Sequence, residues 1–231
     1  VLAIADAEQA EGQPGGYGNG GTCPAAPPCP AATSRRYAYV GASDFHPEWG
    51  DRPPLDLVEH ELGHTLGLVH SGYDPTAAQP YTSVLDVMSN SAAPRDTQPG
   101  RRDAPGTLAI QRVIAGWFDL AALEVAPESG TTVTLAPSAG TEGVRVLVLP
   151  VDDLSFLTVE LLPATGLDAH LPHGGGVAVH LVALGADGIA ITPLAGAPAD
   201  SLLAEGATWR GYGWRVSVAA GWRITAEPAG A

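Results

Sequence analysis

The sequence predicts an α+β protein in two parts, a helix-bearing unit over residues 1–125 and an antiparallel β-sandwich-like unit over residues 126–231. Two observations predict it. Before residue 70, apolar residues recur at helical spacing, at Leu55, Val58, Leu62 and Leu66. From Thr131 the pattern changes to short β-type runs: TTVTLA, VRVLVLPV, SFLTVELL, GVAVHLVAL, GIAITPL, WRVSVAA and WRITAE. Turn residues part these runs at intervals of about 8 to 15 residues, which suits an antiparallel sandwich or small barrel. A chain of 231 residues that is 45% hydrophobic can bury one large core or two modest ones.

Taken in order, the opening run Val1-Leu2-Ala3-Ile4-Ala5 is too short for a signal-peptide core and lacks a basic leader. It reads as a buried strand of a processed or truncated form whose preceding elements are missing. Residues 11–34 are dense in Gly and Pro and predict an irregular loop. Aromatic and β-branched residues in Arg36–Ser43 predict a strand, followed by the turn-rich stretch Asp44–Pro54. Pro54 can then open a helix through LDLVEHELGHTLGL that Gly67 ends. Residues 71–106 return to loop composition apart from a short apolar group, Val84, Leu85, Val87 and Met88. A second helix is expected from Pro105 to Ala115, closed by Gly116. The boundary between the two parts falls near residue 125, and no internal repeat recurs at a fixed period.

The formal charge is −14, and every basic residue is Arg. That balance argues against a nucleic acid or an anionic membrane as partner and favours a soluble monomer. No stretch is both long and apolar enough to span a bilayer. Cys23 and Cys29, separated by five residues in a Pro- and Gly-rich stretch, fit no paired zinc-knuckle spacing. A local disulfide is the favoured reading and two free thiols the other; a disulfide would place the protein outside the reducing cytosol.

The chemistry is concentrated in His60-Glu61-Leu62-Gly63-His64-Thr65-Leu66-Gly67-Leu68-Val69-His70, which reads HExxHxxGxxH. On a helix His60 and His64 sit one turn apart on one face, so both imidazoles can reach one zinc ion at about 2.0–2.1 Å. His70 could not reach that ion if the helix ran straight on. Gly67 permits the necessary turn, because a left-handed conformation costs a residue with a Cβ about 1 kcal/mol or more. Three neutral imidazoles leave a fourth position for water, as expected of one catalytic rather than structural zinc. Glu61, adjacent to a ligand but at a different azimuth, can act as general base toward that water.

This pattern resembles that of the metzincin metallopeptidases, in which the histidines are followed by a methionine turn. Met88 is the chain's single methionine, and the resemblance makes it the residue beneath the histidines. Within that clan the chain is most similar to the gametolysin and immune-inhibitor-A type of secreted peptidase. The likeness runs from His60 to Gly72, through Tyr81 and Asp86 to Met88, to Gly116-Trp117, with Thr158–Leu161 and Gly166–Asp168 like the β-rich continuation. It implies a metzincin-like catalytic subdomain, incomplete at its N-terminus, and a secreted metalloendopeptidase acting on protein or peptide substrates. Ser89 stands where those relatives usually have Gly, and Asn90 where several metzincins place a Tyr near the substrate oxyanion. No Tyr is therefore assigned that role from sequence. The alternative is a secreted binding or adhesion protein with an inherited, weakly active zinc site, against which the intact Glu61 argues.

The remaining features have blander readings. His46, His170, His173 and His180 are out of ligand spacing with the zinc helix, and His170 and His173 read as surface or hydrogen-bonded histidines. Asp44, Glu48 and Asp51 could hold Ca2+, but no calcium motif supports it and a solvated acidic loop is favoured. Trp209, Tyr212, Trp214 and Trp222 could stack on sugars, with core packing favoured. The segment Gly15–Gly21 lacks the context of a nucleotide cradle.

Overall fold

Strands that alternate apolar with polar residues need a second layer to cover them, and the C-terminal runs find it in each other. The computed structural model describes residues 2–5, 16–19, 36–41, 55–73, 81–90, 104–186, 188–196 and 201–230. Cys23, Cys29, the acidic stretch 44–51 with His46, and Pro54 lie outside the described residues.

Strands β5 (Thr131–Thr134), β10 (Thr208–Gly211), β11 (Trp214–Ala219) and β12 (Arg223–Pro228) form one antiparallel sheet in the order β10-β11-β12-β5. The other contains β4 (Leu123–Val125), β6 (Val146–Asp152), β7 (Ser155–Pro163), β8 (Gly175–Gly185) and β9 (Gly188–Ala195), in the order β4-β6-β7-β8-β9. It is antiparallel apart from the β4–β6 pair. Leu157, Val159 and Leu161 of β7 meet Trp214, Val216, Val218 and Ile224 from the facing sheet in one buried cluster. Each fully buried side chain of this kind contributes roughly 1.5–3 kcal/mol. Trp214 is buried here, and its indole N–H donates to the Pro150 carbonyl at 2.7 Å. Trp209 and Trp222 pack partly buried against the same core, whereas Tyr212 is exposed.

The five-stranded sheet is covered on its other face as well. Phe156 and Leu162 of β7, with Ala178 and Val182 of β8, pack against Leu85, Leu108 and Ile110. Burial on both faces explains why β7 and β8 read as nearly unbroken apolar runs rather than as an alternation. This second core draws residues from both sides of position 125, and the Gly72 N–H donates to the Ile191 carbonyl of β9 at 2.8 Å.

Toward the N-terminus, β1 (Leu2–Ala5), β2 (Gly16–Asn19) and β3 (Tyr37–Gly41) form a sheet in the order β1-β3-β2, parallel between β1 and β3 and antiparallel between β2 and β3. The helix α1 (Leu55–Thr65) lies against β2 and β3. The architecture is therefore α+β, rich in strands. No helix among the described residues is long and apolar enough to cross a membrane.

Two expectations are corrected, and two further strands were not anticipated. The strand β2 lies inside the stretch expected to be irregular, since Gly and Tyr there complete hydrogen bonds offered by β3. Strands β4 and β10 lack a run of apolar residues and are made by their neighbours' ladders. The second helix, α2 (Ala109–Ile114), starts four residues later than the expected Pro105. The delay has a cause in two carboxylates of the β-rich part, buried Glu160 and half-buried Asp168. Glu160 of β7 accepts from the Ala109 N–H at 2.9 Å, so helix hydrogen bonding begins there. Asp168 holds the Gly106 N–H at 2.9 Å and keeps the preceding residues extended.

Candidate metal centre

The buried face of α1 carries Asp56, His60, Glu61 and Gly63 while Leu62 is exposed, and the helix period places His60 and His64 one turn apart on one side. The helix ends in a defined reversal. Gly67 takes φ +92°, its N–H donates to the His64 carbonyl at 3.1 Å, and the Leu68 N–H donates to the Gly63 carbonyl at 3.1 Å. This is the Schellman pairing, which satisfies the last carbonyls of the helix while turning the chain out of its axis. Three residues later His70 is back beside the helix.

The result is a convergence of ring nitrogens. His70 Nε2 lies 2.9 Å from His64 Nε2 and 3.3 Å from His60 Nε2. The opposite nitrogens decide the protonation. His60 Nδ1 lies 2.7 Å from the Val87 carbonyl and His64 Nδ1 lies 3.1 Å from the Leu68 carbonyl, so each Nδ1 must be the donor. In the neutral rings both Nε2 atoms are therefore bare lone pairs aimed at His70. One proton on His70 cannot serve two acceptors well, whereas a cation can bind all three nitrogens. Among the described residues these three histidines alone form such a group, and they lie close enough to hold a metal ion.

Electrostatics favour the ligating form. Burial, and then the neighbouring His64, pulls His60 down to about 4, opposed only by the Val87 carbonyl. Burial and the two other imidazoles pull His70 down to about 3, and burial lowers His64 as well. All three are neutral near pH 7. Tetrahedral bonds of about 2.05 Å imply nitrogens roughly 3.3 Å apart. The longer observed separation fits that value, and the shorter needs a few tenths of an ångström of opening.

Behind the histidines Met88 is fully buried, with its sulfur against Gly63, the residue before His64. A Cβ at position 63 would run into that sulfur, so glycine there lets the Met88 turn pack directly under the helix. The same turn supplies the Val87 carbonyl that orients His60. Glu61 is 5% exposed and close enough to Tyr81 for its charge to raise the phenol, after burial and Tyr73.

No known protein family, curated protein or solved structure matches the chain.

The arrangement must be judged on its own chemistry, and the structure adds two side chains that sequence reasoning did not give a role. Tyr81 lies edge-on to His70 and His60, with ring centroids 5.2 and 6.0 Å away. Tyr73 lies 5.1 Å from both His70 and Tyr81, and is 48% exposed. Tyr81 belongs to the stretch that carries the likeness but had no role assigned from it, and Tyr73 follows the motif with no spacing that would reveal it. The other described histidines stay apart. His170 places its two ring nitrogens 3.2 Å from the Leu167 and Val84 carbonyls, His173 is exposed, and His180 is buried in β8.

Proposed function

We propose that the protein is a zinc-dependent endopeptidase of the metzincin kind, with His60, His64 and His70 as metal ligands and Glu61 as general base. The observation that supports it most is the convergence of three neutral imidazole nitrogens, two of them oriented by backbone carbonyls. Such outer hydrogen bonds commonly set the tautomer of metal-ligating histidines. A donor set of three imidazoles, which leaves a fourth position for water, suits Zn2+ in a catalytic role. Zinc, when bound, supplies Lewis acidity, polarising a peptide carbonyl and making a water at the site acidic near neutral pH.

The chain's own groups do the rest. Glu61 takes the proton of the attacking water on its carboxylate and returns it to the leaving amide nitrogen. The raised Tyr81 phenol keeps its proton at neutral pH, and with its ring 5.2 Å from that of His70 it can donate to negative charge on the carbonyl oxygen. Exposed Tyr73 offers an aromatic wall to a bound peptide. The proposal extends to a secreted protein that works as a monomer, in keeping with the acidic surface and the closely spaced Cys23 and Cys29.

The test is metal analysis of purified protein with casein cleavage, with and without chelator, for wild type and Glu61→Gln. One zinc per chain and chelator-sensitive cleavage, reduced at least ~1,000-fold in the variant with zinc retained, is expected. Full activity in Glu61→Gln would sink the mechanism, and bound zinc without any cleavage would favour a binding protein.

A further inference from the structure

Of the three ligands, His60 and His64 are held by their helix, but His70 stands on irregular chain. Something else must hold its backbone, and the structure shows what does. Gln111 of α2 is fully buried and directs its whole amide at the residue before His70. Its Oε1 accepts from the Val69 N–H at 3.2 Å, and its Nε2 donates to the Val69 carbonyl. The side chain thus replaces a neighbouring strand, pairing both backbone groups of Val69 at once. The second proton of the amide goes to Asp86 Oδ2 at 3.2 Å.

Asp86 then holds the other flank. The same Oδ2 accepts from the Ser71 hydroxyl at 2.7 Å, and the Ser71 N–H donates to the Met88 carbonyl at 3.1 Å. His70 is therefore bracketed by two residues tied to one buried amide–carboxylate pair. The far end of the chain of contacts is anchored too, since Glu160 of the five-stranded sheet takes the Ala109 N–H at the start of α2, two residues before Gln111. Burial is costly for polar groups without a partner; the Gln111 amide and Asp86 Oδ2 have theirs, whereas Asp86 Oδ1 has none.

We infer that Gln111 is a positioning residue for the third metal ligand: with Asp86 it clamps Val69 and Ser71 and so sets where His70 Nε2 stands relative to His60 and His64. This inference rests on the reading of the three histidines as a metal site. It goes beyond that reading by assigning the geometry of His70 to α2, an element with no ligand of its own.

The test uses Co2+ as a spectroscopic probe, with Zn2+ competition for affinity, on full-length wild type, Gln111→Met, Ser71→Ala and Val216→Ala. Gln111→Met keeps volume but can neither donate nor accept. It is expected to bind metal 10- to 100-fold more weakly, the usual cost of losing an outer-shell partner, and to shift and weaken the visible Co2+ bands as His70 drifts. Ser71→Ala, the milder change, should weaken binding a few-fold. Val216→Ala removes volume from the sandwich core instead; it should lower thermal stability while leaving the spectrum and affinity unchanged, which separates positioning from general destabilisation. Wild-type affinity and spectrum in Gln111→Met would overturn the inference. If that variant does not fold, an unchanged spectrum and affinity in Ser71→Ala would overturn it. Failure of the wild type to take up Co2+ or Zn2+ would instead overturn the metal-site reading and this inference with it.

Discussion

Two buried regions of this molecule hold imidazoles, and they treat them oppositely. At the end of α1, His60 and His64 each have one ring nitrogen satisfied by a carbonyl and the other directed at His70. In the middle of β8, His180 is fully buried on the sheet face that α2 packs toward, and neither of its nitrogens has a partner. Burial lowers His180 to about 4, the same value His60 reaches. The acid–base consequence of burial is therefore alike in both places, and it does not mark a site. What marks the site is convergence, meaning rings oriented from behind by backbone oxygens so that their lone pairs meet at one point.

Breaking the convergence should give the largest effect. His64→Ala is expected to weaken metal binding by ~1,000-fold or more, about 4 kcal/mol, whereas His180→Leu should leave affinity unchanged; competition with a chromophoric chelator reads both. Equal losses in the two variants would erase the distinction.

Next in size is a buried charge on the same sheet face as His180 that does have partners. Glu160 is fully buried, is raised by that burial, and is met by the Ala109 N–H, the Ser138 hydroxyl and Arg112 at 3.8 Å. Removing one member leaves the others buried and unpaired, so Glu160→Ala should cost about 3–5 kcal/mol in urea unfolding. A loss under ~1 kcal/mol would show that water reaches Arg112.

The unpartnered histidine should then declare itself through pH. Its folded value lies below its unfolded one, so as pH falls from 6.5 toward about 4 the unfolded chain takes up a proton that the folded chain refuses. Stability present above pH 6.5 is lost across that window, by about 3 kcal/mol for a shift of this size. The advantage of His180→Leu over wild type should accordingly grow between pH 7 and pH 4. An advantage that stays constant with pH would mean that His180 is protonated or solvated in the fold.

The smallest effect sharpens the support behind the histidines. Gly63→Ala puts a methyl where the Met88 sulfur sits, an overpacking expected to cost about 1–3 kcal/mol and to lower metal affinity modestly through the Val87 carbonyl on His60. Met88→Leu in the same background should recover part of the stability, and thermal melts of the three variants test it.

Much of this was legible in the residues. Helical spacing marks the run that becomes α1, and glycine favours the reversal of the chain at position 67, where φ is +92°. Alternation and apolar runs mark β5 through β9, β11 and β12. Less legible were β2, β4 and β10, whose residues have little strand character and are ordered by hydrogen bonds from partners elsewhere in the chain. The same holds for the start of α2, which Glu160 decides from 51 residues away.

The sequence by itself determined the three histidines and the turn that brings them together, because helix period and glycine stereochemistry act over a few neighbouring residues. The Leu68 carbonyl that orients His64 is local, but tertiary structure alone decided which nitrogen of His60 carries the proton, since the carbonyl of Val87 lies 27 residues away. It alone brought Tyr73 and Tyr81 to the rings, and set Gln111 against Val69 across 42 residues. Those partners meet only after the sheets and α2 have packed, and a short-range force such as a hydrogen bond leaves no periodic trace in a chain that brings its two ends together from far apart.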